Sequence, residues 1–189
     1  LRTLRRPAVW RWLILLEFSN LILDVLYGFL ALYFVDVVKV TPEEGALAVA
    51  VWTGIGLIGD FLLIPLLERM RGLDYLCIST VIELILFPAF LLTPGLFPKM
   101  VILAFLGIFN AGWYTILKGH LYSELPGQSA SVMTIQSVSG IIGTFFPILI
   151  GAAAEQFGLD VAIWLCYLGP IALLIGLPRK TPDVKIELD

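Results

Sequence analysis

Apolar residues run along this chain in long blocks rather than in alternation, and six of the blocks approach the length of a membrane span. They are Trp12 to Val35, Gly45 to Leu67, Leu76 to Leu92, Val101 to Tyr122, Val132 to Ala154 and Val161 to Leu177. A helix needs about 20 such residues to cross about 30 Å of hydrocarbon. The third and sixth blocks are short by that measure and are expected to extend a few residues at either end. Turn chemistry separates the blocks: Thr41-Pro42-Glu43-Glu44-Gly45, Arg71-Gly72-Leu73-Asp74, Thr93-Pro94-Gly95, Pro126-Gly127-Gln128 and Phe157-Gly158. Connections this short hold no soluble domain. The pattern predicts an all-α membrane protein, one bundle of six transmembrane helices over residues 1–189.

Polar residues are spread unevenly over these spans. The first carries Glu17, Asn20, Asp24 and Tyr27, spaced three, four and three, which places them on one helical face. The fourth carries Asn110, Tyr114 and Lys118 at intervals of four, with Trp113 beside them. The third and sixth spans are almost wholly apolar, Glu83 being the exception. Spans one and four are therefore expected to face a polar cavity, with three and six as outer supports. Glu83, alone on its helix, reads as an interhelical hydrogen-bonding group rather than a site. The recurrence every three helices suggests a three-plus-three inverted repeat, a construction common in secondary transporters. Spans two and five are rich in small residues, Gly54, Gly56 and Gly59 in one and Gly140, Gly143, Gly151 and Ala152 to Ala154 in the other. Such residues let membrane helices approach closely.

Composition points the same way. The 189 residues are 59% hydrophobic and 14% charged, with a mean hydropathy of +0.96, whereas soluble domains carry about 45–50% apolar and about 25% charged residues. The net charge of −3 gives no reason to expect nucleic acid as a partner. Its distribution matters more. With the N-terminus in the cytoplasm, that side receives Arg2, Arg5, Arg6, Arg11, Arg69, Arg71, Lys118, Arg179, Lys180 and Lys185, and the other side only Lys39 and Lys99. The excess of Lys and Arg on cytoplasmic loops then predicts that both termini are cytoplasmic, in a plasma or inner membrane. The basic start followed by an apolar run is superficially like a secretory signal, but the run is too long, contains Glu17 and Asp24 and lacks a cleavage site. Opening on Leu1 rather than Met suggests an internal fragment or a trimmed chain.

Candidate chemistry is confined to the spans. Cys77 and Cys166 lie far apart in apolar runs and belong to no metal or disulfide pattern. His120, the only histidine, stands at a span boundary with no ligand partner in the sequence, so no metal centre is expected. Ser137-Val138-Ser139-Gly140 has no histidine in any span to activate a serine, which removes the parts of a membrane-embedded hydrolase. No enzyme activity and no cofactor are expected. Gly54-Ile55-Gly56-Leu57-Ile58-Gly59 satisfies a dinucleotide-binding pattern literally but falls in the middle of a span, with no strand before it. Ionisable groups inside a span cost about 2.5–3.5 kcal/mol each on insertion scales and mark functional sites. Asp24, near the middle of span one, suits either substrate and proton handling or a structural hydrogen bond, and Asp60 in span two is open in the same way. Glu17 and Lys118 lie nearer the cytoplasmic end, where long side chains reach the headgroups.

Two further stretches carry a family resemblance. After the second span the chain reads Ile64-Pro65-Leu66-Leu67-Glu68-Arg69-Met70-Arg71-Gly72. The fifth span reads Gly143-Thr144-Phe145-Phe146-Pro147 and then Gly151-Ala152-Ala153-Ala154-Glu155-Gln156-Phe157-Gly158, preceded by the turn Pro126-Gly127-Gln128-Ser129-Ala130. Across essentially its whole length the chain resembles the C-terminal six-helix half of a major facilitator superfamily transporter. Glu68 and Arg69 match the acidic-basic pair of that family's loop motif, while Ile64 stands where its leading glycine would be and the later glycine comes one residue late. The resemblance implies that spans one and four line the cavity, two and five face an N-terminal six-helix half, and three and six are peripheral. It also implies a cytoplasmic gate latch at Glu68 and Arg69. The expected function is secondary active transport of a small solute by alternating access, coupled to protons, with efflux as one candidate direction. The alternative is a six-helix membrane interaction or assembly subunit with no transport of its own.

Overall fold

A computed structural model describes residues 7–125, 133, 137, 140 and 143–178, and every regular element among them is helical. Helix α1 (Pro7–Val38) is continuous, but its turns widen to π-helix at Leu21–Leu26 and again at Phe34–Val38. It stops at Lys39, whose φ of 64° is left-handed. Helix α2 (Pro42–Leu67) starts abruptly because Thr41 and Glu44 form a reciprocal cap. The Thr41 hydroxyl accepts from the Glu44 N–H at 3.3 Å, and the Glu44 carboxylate accepts from the Thr41 N–H at 3.0 Å. Then follow α3 (Gly72–Leu92), α4 (Leu96–Asn110), α5 (Trp113–Ser123), α6 (Phe145–Phe157) and α7 (Leu159–Gly176).

Five helical stretches are long and apolar enough to cross a membrane, with α4 and α5 together forming one of them, Leu96–Ser123. The expected fifth span begins at Val132, outside the described residues, and its described C-terminal portion is the shorter apolar helix α6. Several boundaries move. The first span reaches back to Pro7, the third begins at Gly72 and the fourth at Leu96, which draws Lys99 into a helix. The four arginines and two lysines at 2, 5, 6, 179, 180 and 185 that entered the orientation argument lie outside the described residues.

Apolar packing divides into two clusters stacked along the helices. One gathers Val9, Trp12, Leu16, Leu76, Leu117 and Leu173 around the start of α1. The other gathers Leu26, Phe34, Phe87, Phe90, Leu103 and Ile163 around its end. Each end is tied by polar groups. At the first, Arg11 donates to the Gly176 carbonyl at 2.6 Å, while Trp12 stacks on His120 with ring centroids 4.9 Å apart. At the second, the Lys99 ammonium donates to the Tyr33 hydroxyl at 2.9 Å and to the carbonyls of Phe90 and Leu91 at 2.5 and 3.0 Å. Lys99 thus caps the last turn of α3 and is only 5% exposed. The sequence places it as a loop charge; the structure makes it a clasp joining α1, α3 and α4.

The small residues of span two divide by role. Gly59 lies against Ile108 and Ala111, and Gly56 lies against Gly107, so α2 and α4 meet backbone to backbone. Gly54 has nothing near it. Of the five candidate spans, α2 is the least buried, exposing Leu57, Ile58, Phe61, Leu62 and Ile64. Helix α3, expected as an outer support, is more buried than α2 and packs on α4, α5 and α7.

Candidate functional site

Between the two apolar clusters, halfway along the bundle, the helix of span four breaks. Helix α4 ends at Asn110, Ala111 is extended (φ −54°, ψ 137°), and Gly112 is left-handed (φ 72°) before α5 starts at Trp113. The single peptide unit joining Ala111 to Gly112 is held on both sides. Its carbonyl accepts from the Tyr75 hydroxyl at 3.0 Å, and its N–H donates to Asp60 Oδ1 at 3.0 Å. The same hydroxyl lies 3.4 and 3.3 Å from the carbonyls of Ile108 and Phe109, at the end of α4 where the regular helical ladder stops and the Ile108 carbonyl takes the Ala111 N–H instead at 3.3 Å. In a membrane, irregular backbone persists only where protein or a wet cavity satisfies it. Here Tyr75 supplies the buried side and Asp60 the open one.

That open side is a cavity of about 340 Å³. Leu23, Asp24 and Tyr27 contribute to it from α1, Trp52, Thr53, Gly56, Leu57 and Asp60 from α2, and Gly107 with the stretch Asn110 to Thr115 from α4, the break and α5. Six of the residues singled out from the sequence meet here: Asp24, Tyr27, Asp60, Asn110, Trp113 and Tyr114. Asp24 lies in the π-helical stretch Leu21–Leu26 and is exposed to the cavity. Such wide turns often mark functional positions in membrane helices. Tyr27 is 46% exposed, whereas Asn110 is 1% exposed and borders the cavity from within the packing. Trp113 contributes to the rim only. Its indole is fully buried and donates from Nε1 to the Ser79 hydroxyl at 2.9 Å.

The remaining candidates lie elsewhere. Glu17 and Asn20 are half-buried and do not line the cavity; the Glu17 carboxylate lies where a side chain on Gly143 would begin. Lys118 is half-buried, one turn beyond the lining, with its ammonium 5.1 Å from the centre of the Tyr114 ring. Glu68 and Arg69 are exposed in the turn after α2, away from the cavity. Among the described residues no cluster of His, Cys, Asp and Glu could hold a metal ion. The GxGxxG stretch lies inside α2, far from its N-terminus, so its glycines present no helix-start N–H groups to a phosphate.

Sequence reasoning missed the supporting wall. Tyr75, Ser79 and Glu83 recur at intervals of four on α3, with Thr80 beside them, and all are buried. Glu83 is therefore not a lone polar group on an apolar helix. A hydroxyl-acid stripe of helical period was visible in the sequence, but hydropathy averaging over α3 hid it.

Because Tyr75 and Asp60 hold opposite ends of one peptide, their contributions to stability should be coupled. Tyr75→Phe and Asp60→Leu are each expected to lower stability by about 1 kcal/mol. The double variant should lose clearly less than the sum, measured by reversible denaturant unfolding in micelles. Strict additivity would mean that the two side chains do not share the Ala111–Gly112 peptide.

Compared with family models, with curated proteins and with solved structures, the chain matches none.

Proposed function

We propose that this chain is a six-helix half of a secondary active transporter, similar to the C-terminal half of the major facilitator superfamily, with both termini cytoplasmic. A small solute crosses by alternating access, coupled to protons. The observation that carries the reading is the cavity at mid-bundle, where two intramembrane carboxylates, Asp24 and Asp60, open beside a broken helix. Discontinuous helices at the midplane are where many secondary transporters bind substrate and coupling ion. Among the described residues the lining holds Tyr27, Trp52 and Tyr114 but no Lys, Arg or His, which favours a neutral or cationic solute over an anion. In this reading the exposed apolar row on α2 faces the partner half, and Glu68 and Arg69 act in the cytoplasmic turn that opens and closes with it.

The test is uptake and efflux in proteoliposomes of the whole transporter, over a panel of neutral and cationic solutes, with an imposed pH gradient. Asp24→Asn is expected to keep the protein in the membrane while reducing gradient-driven transport by about tenfold or more, the scale of losing one positioned proton-carrying group. Normal coupling in Asp24→Asn would make Asp24 a structural residue. If no solute moves and the chain works without a second six-helix half, the assembly-subunit reading becomes the better account.

A further inference from the structure

Five buried polar atoms in the described bundle have no hydrogen-bond partner, and they belong to three side chains: the Thr80 hydroxyl, both oxygens of Glu83 and both amide atoms of Asn110. Native interiors satisfy nearly all such groups, so a concentration of this kind needs an occupant. The three side chains are close along the bundle. Thr80 and Glu83, three apart on α3, are neighbours on one face, with Cβ atoms about 5–6 Å apart. Helices α3 and α4 run antiparallel, and their register is fixed where Lys99 meets Phe90 and Leu91 at one end and Trp113 meets Ser79 at the other. Asn110 therefore stands level with the turn of α3 that carries Ser79 and Thr80, and it borders the cavity. Of the three, Asn110 borders the cavity, whereas Thr80 and Glu83 do not line it.

We infer that Glu83 is a proton-binding site, holding a proton in the sealed interior behind the broken helix and exchanging it with the cavity through Asn110 and Thr80. This rests on the transporter reading and deepens it by giving the coupling proton a second station besides the cavity carboxylates. Glu83 is 0% exposed and does not line the cavity, so an occupant must need almost no room. A bare carboxylate there would face the full desolvation cost of a buried charge. No cation on the neighbouring helices offsets it. Helix α7 carries Asp160 in its first turn and no charged residue after it; Tyr167, in its middle, donates its hydroxyl to the Leu84 carbonyl at 2.8 Å. On α4 the one cation, Lys99, is committed to Tyr33, Phe90 and Leu91. On α5, Lys118 lies over Tyr114 and His120 stacks on Trp12 at the end of the bundle. On α3 itself Tyr75 is engaged at the break and Asp74 lies in the first turn. Asp60 faces the cavity across the Ala111–Gly112 peptide.

With a proton bound, Glu83 is a neutral acid; none of the three side chains is bonded to another here, so its O–H meets the Thr80 hydroxyl or the Asn110 carbonyl oxygen only through a bridging water or a shift of side chains. When the break opens and water enters past Asn110, that O–H bond gives its proton to water. The carboxylate left behind accepts from the Thr80 O–H, the Asn110 amide N–H and the entering water. No other bond changes and no electron moves.

Infrared difference spectroscopy of the whole protein in nanodiscs tests this without any solute, so it is independent of the transport assay. Between about pH 4 and about pH 10, a range bracketing ordinary carboxyl and lysine values, a carboxylic-acid C=O band should give way to carboxylate bands. It should be absent in Glu83→Gln, and in Glu83→Asp it should shift in frequency rather than vanish. Asn110→Leu should slow its deuterium exchange by about tenfold or more, as expected for a blocked route from the cavity. A Glu83-dependent band that never titrates makes Glu83 a permanently neutral structural acid and overturns the inference. Unchanged exchange in Asn110→Leu overturns the route. A band that responds to sodium at fixed pH replaces the proton by a metal cation. Transport that fails while the band titrates would sink the transporter reading and leave the proton site standing.

Discussion

Gly59→Leu is expected to cost about 3 kcal/mol or more of stability, the upper range for forcing extra carbon into a packed interface. A Cβ at Gly59 would lie 2.8 Å from Ala111 Cβ, 3.1 Å from Ile108 Cα and 3.2 Å from the Ile108 carbonyl oxygen. Two of those three atoms are backbone, which cannot rotate away. The neighbouring contact is also tight, though less so, since a Cβ at Gly107 would lie 3.2 Å from the Trp52 carbonyl oxygen and 3.4 Å from the Gly56 nitrogen. Helices α2 and α4 must therefore separate to admit any larger side chain. Separation would also pull Asp60 off the Gly112 N–H, so the damage should reach the cavity. Gly54→Leu is the control on the same helix. It meets nothing within 4 Å, and its expected effect is within about 0.5 kcal/mol. Both values come from denaturant unfolding in micelles, with recovery of monodisperse protein as the cruder readout. Equal damage from the two variants would mean that α2 does not approach α4 along Gly56 and Gly59.

The small residues at this contact also explain why there is a cavity to line. Gly56 and Gly107 appear both in the close approach and in the lining. Without side chains they let two helices touch and still leave open volume beside the contact, where Asp24, Asp60 and Tyr114 can present polar atoms. Packing and site thus share the same residues, and a substitution there cannot be assigned to one alone without a control such as Gly54.

What could be read from the sequence, and what could not, follows from what periodicity carries. A spacing of three or four fixes the angle of a residue around its helix, which is why Asp24, Tyr27, Asn110 and Tyr114 were found as a set. It does not fix depth. Glu17 shares the face of Asp24 but lies seven residues earlier, about 10 Å along the axis at about 1.5 Å per residue, and so falls outside the lining. Lys118 misses by one turn for the same reason. Asp60 was legible as an intramembrane acid, but its hydrogen bond to Gly112 joins residues 52 positions apart, which no local pattern encodes. The break itself was silent, because Ala111 and Gly112 continue an apolar run and hydropathy does not register a change of φ. Lys99 was misplaced for a related reason. A lysine just after Pro98 reads as a loop charge, yet the free carbonyls at the end of α3 give its ammonium a buried seat.

Gly112→Ala should be the most informative change at that break, lowering stability by about 2–4 kcal/mol through two separable causes. The first is conformational. A φ of 72° is left-handed, and an L side chain there costs about 1 kcal/mol, because its Cβ crowds the following carbonyl. The second is steric, since the new Cβ would collide with Leu63 Cδ2. The colliding atom is the tip of a side chain, so removing it should relieve that part alone. In the Gly112→Ala/Leu63→Ala pair the double variant is expected to be more stable than the sum of the singles by about 1–2 kcal/mol. The conformational part should persist in the Leu63→Ala background. Denaturant unfolding of the four proteins gives both terms. If Gly112→Ala is neutral in either background, span four is a continuous helix at this point. Asp60 would then have no N–H to hold, and the cavity would lose the broken backbone on which the transporter reading leans. If the strain remains and only the clash disappears, the Ala111–Gly112 peptide is held open against its own local preference by Tyr75 and Asp60. A peptide kept that way from both sides is the element best placed to move when either side chain changes partner.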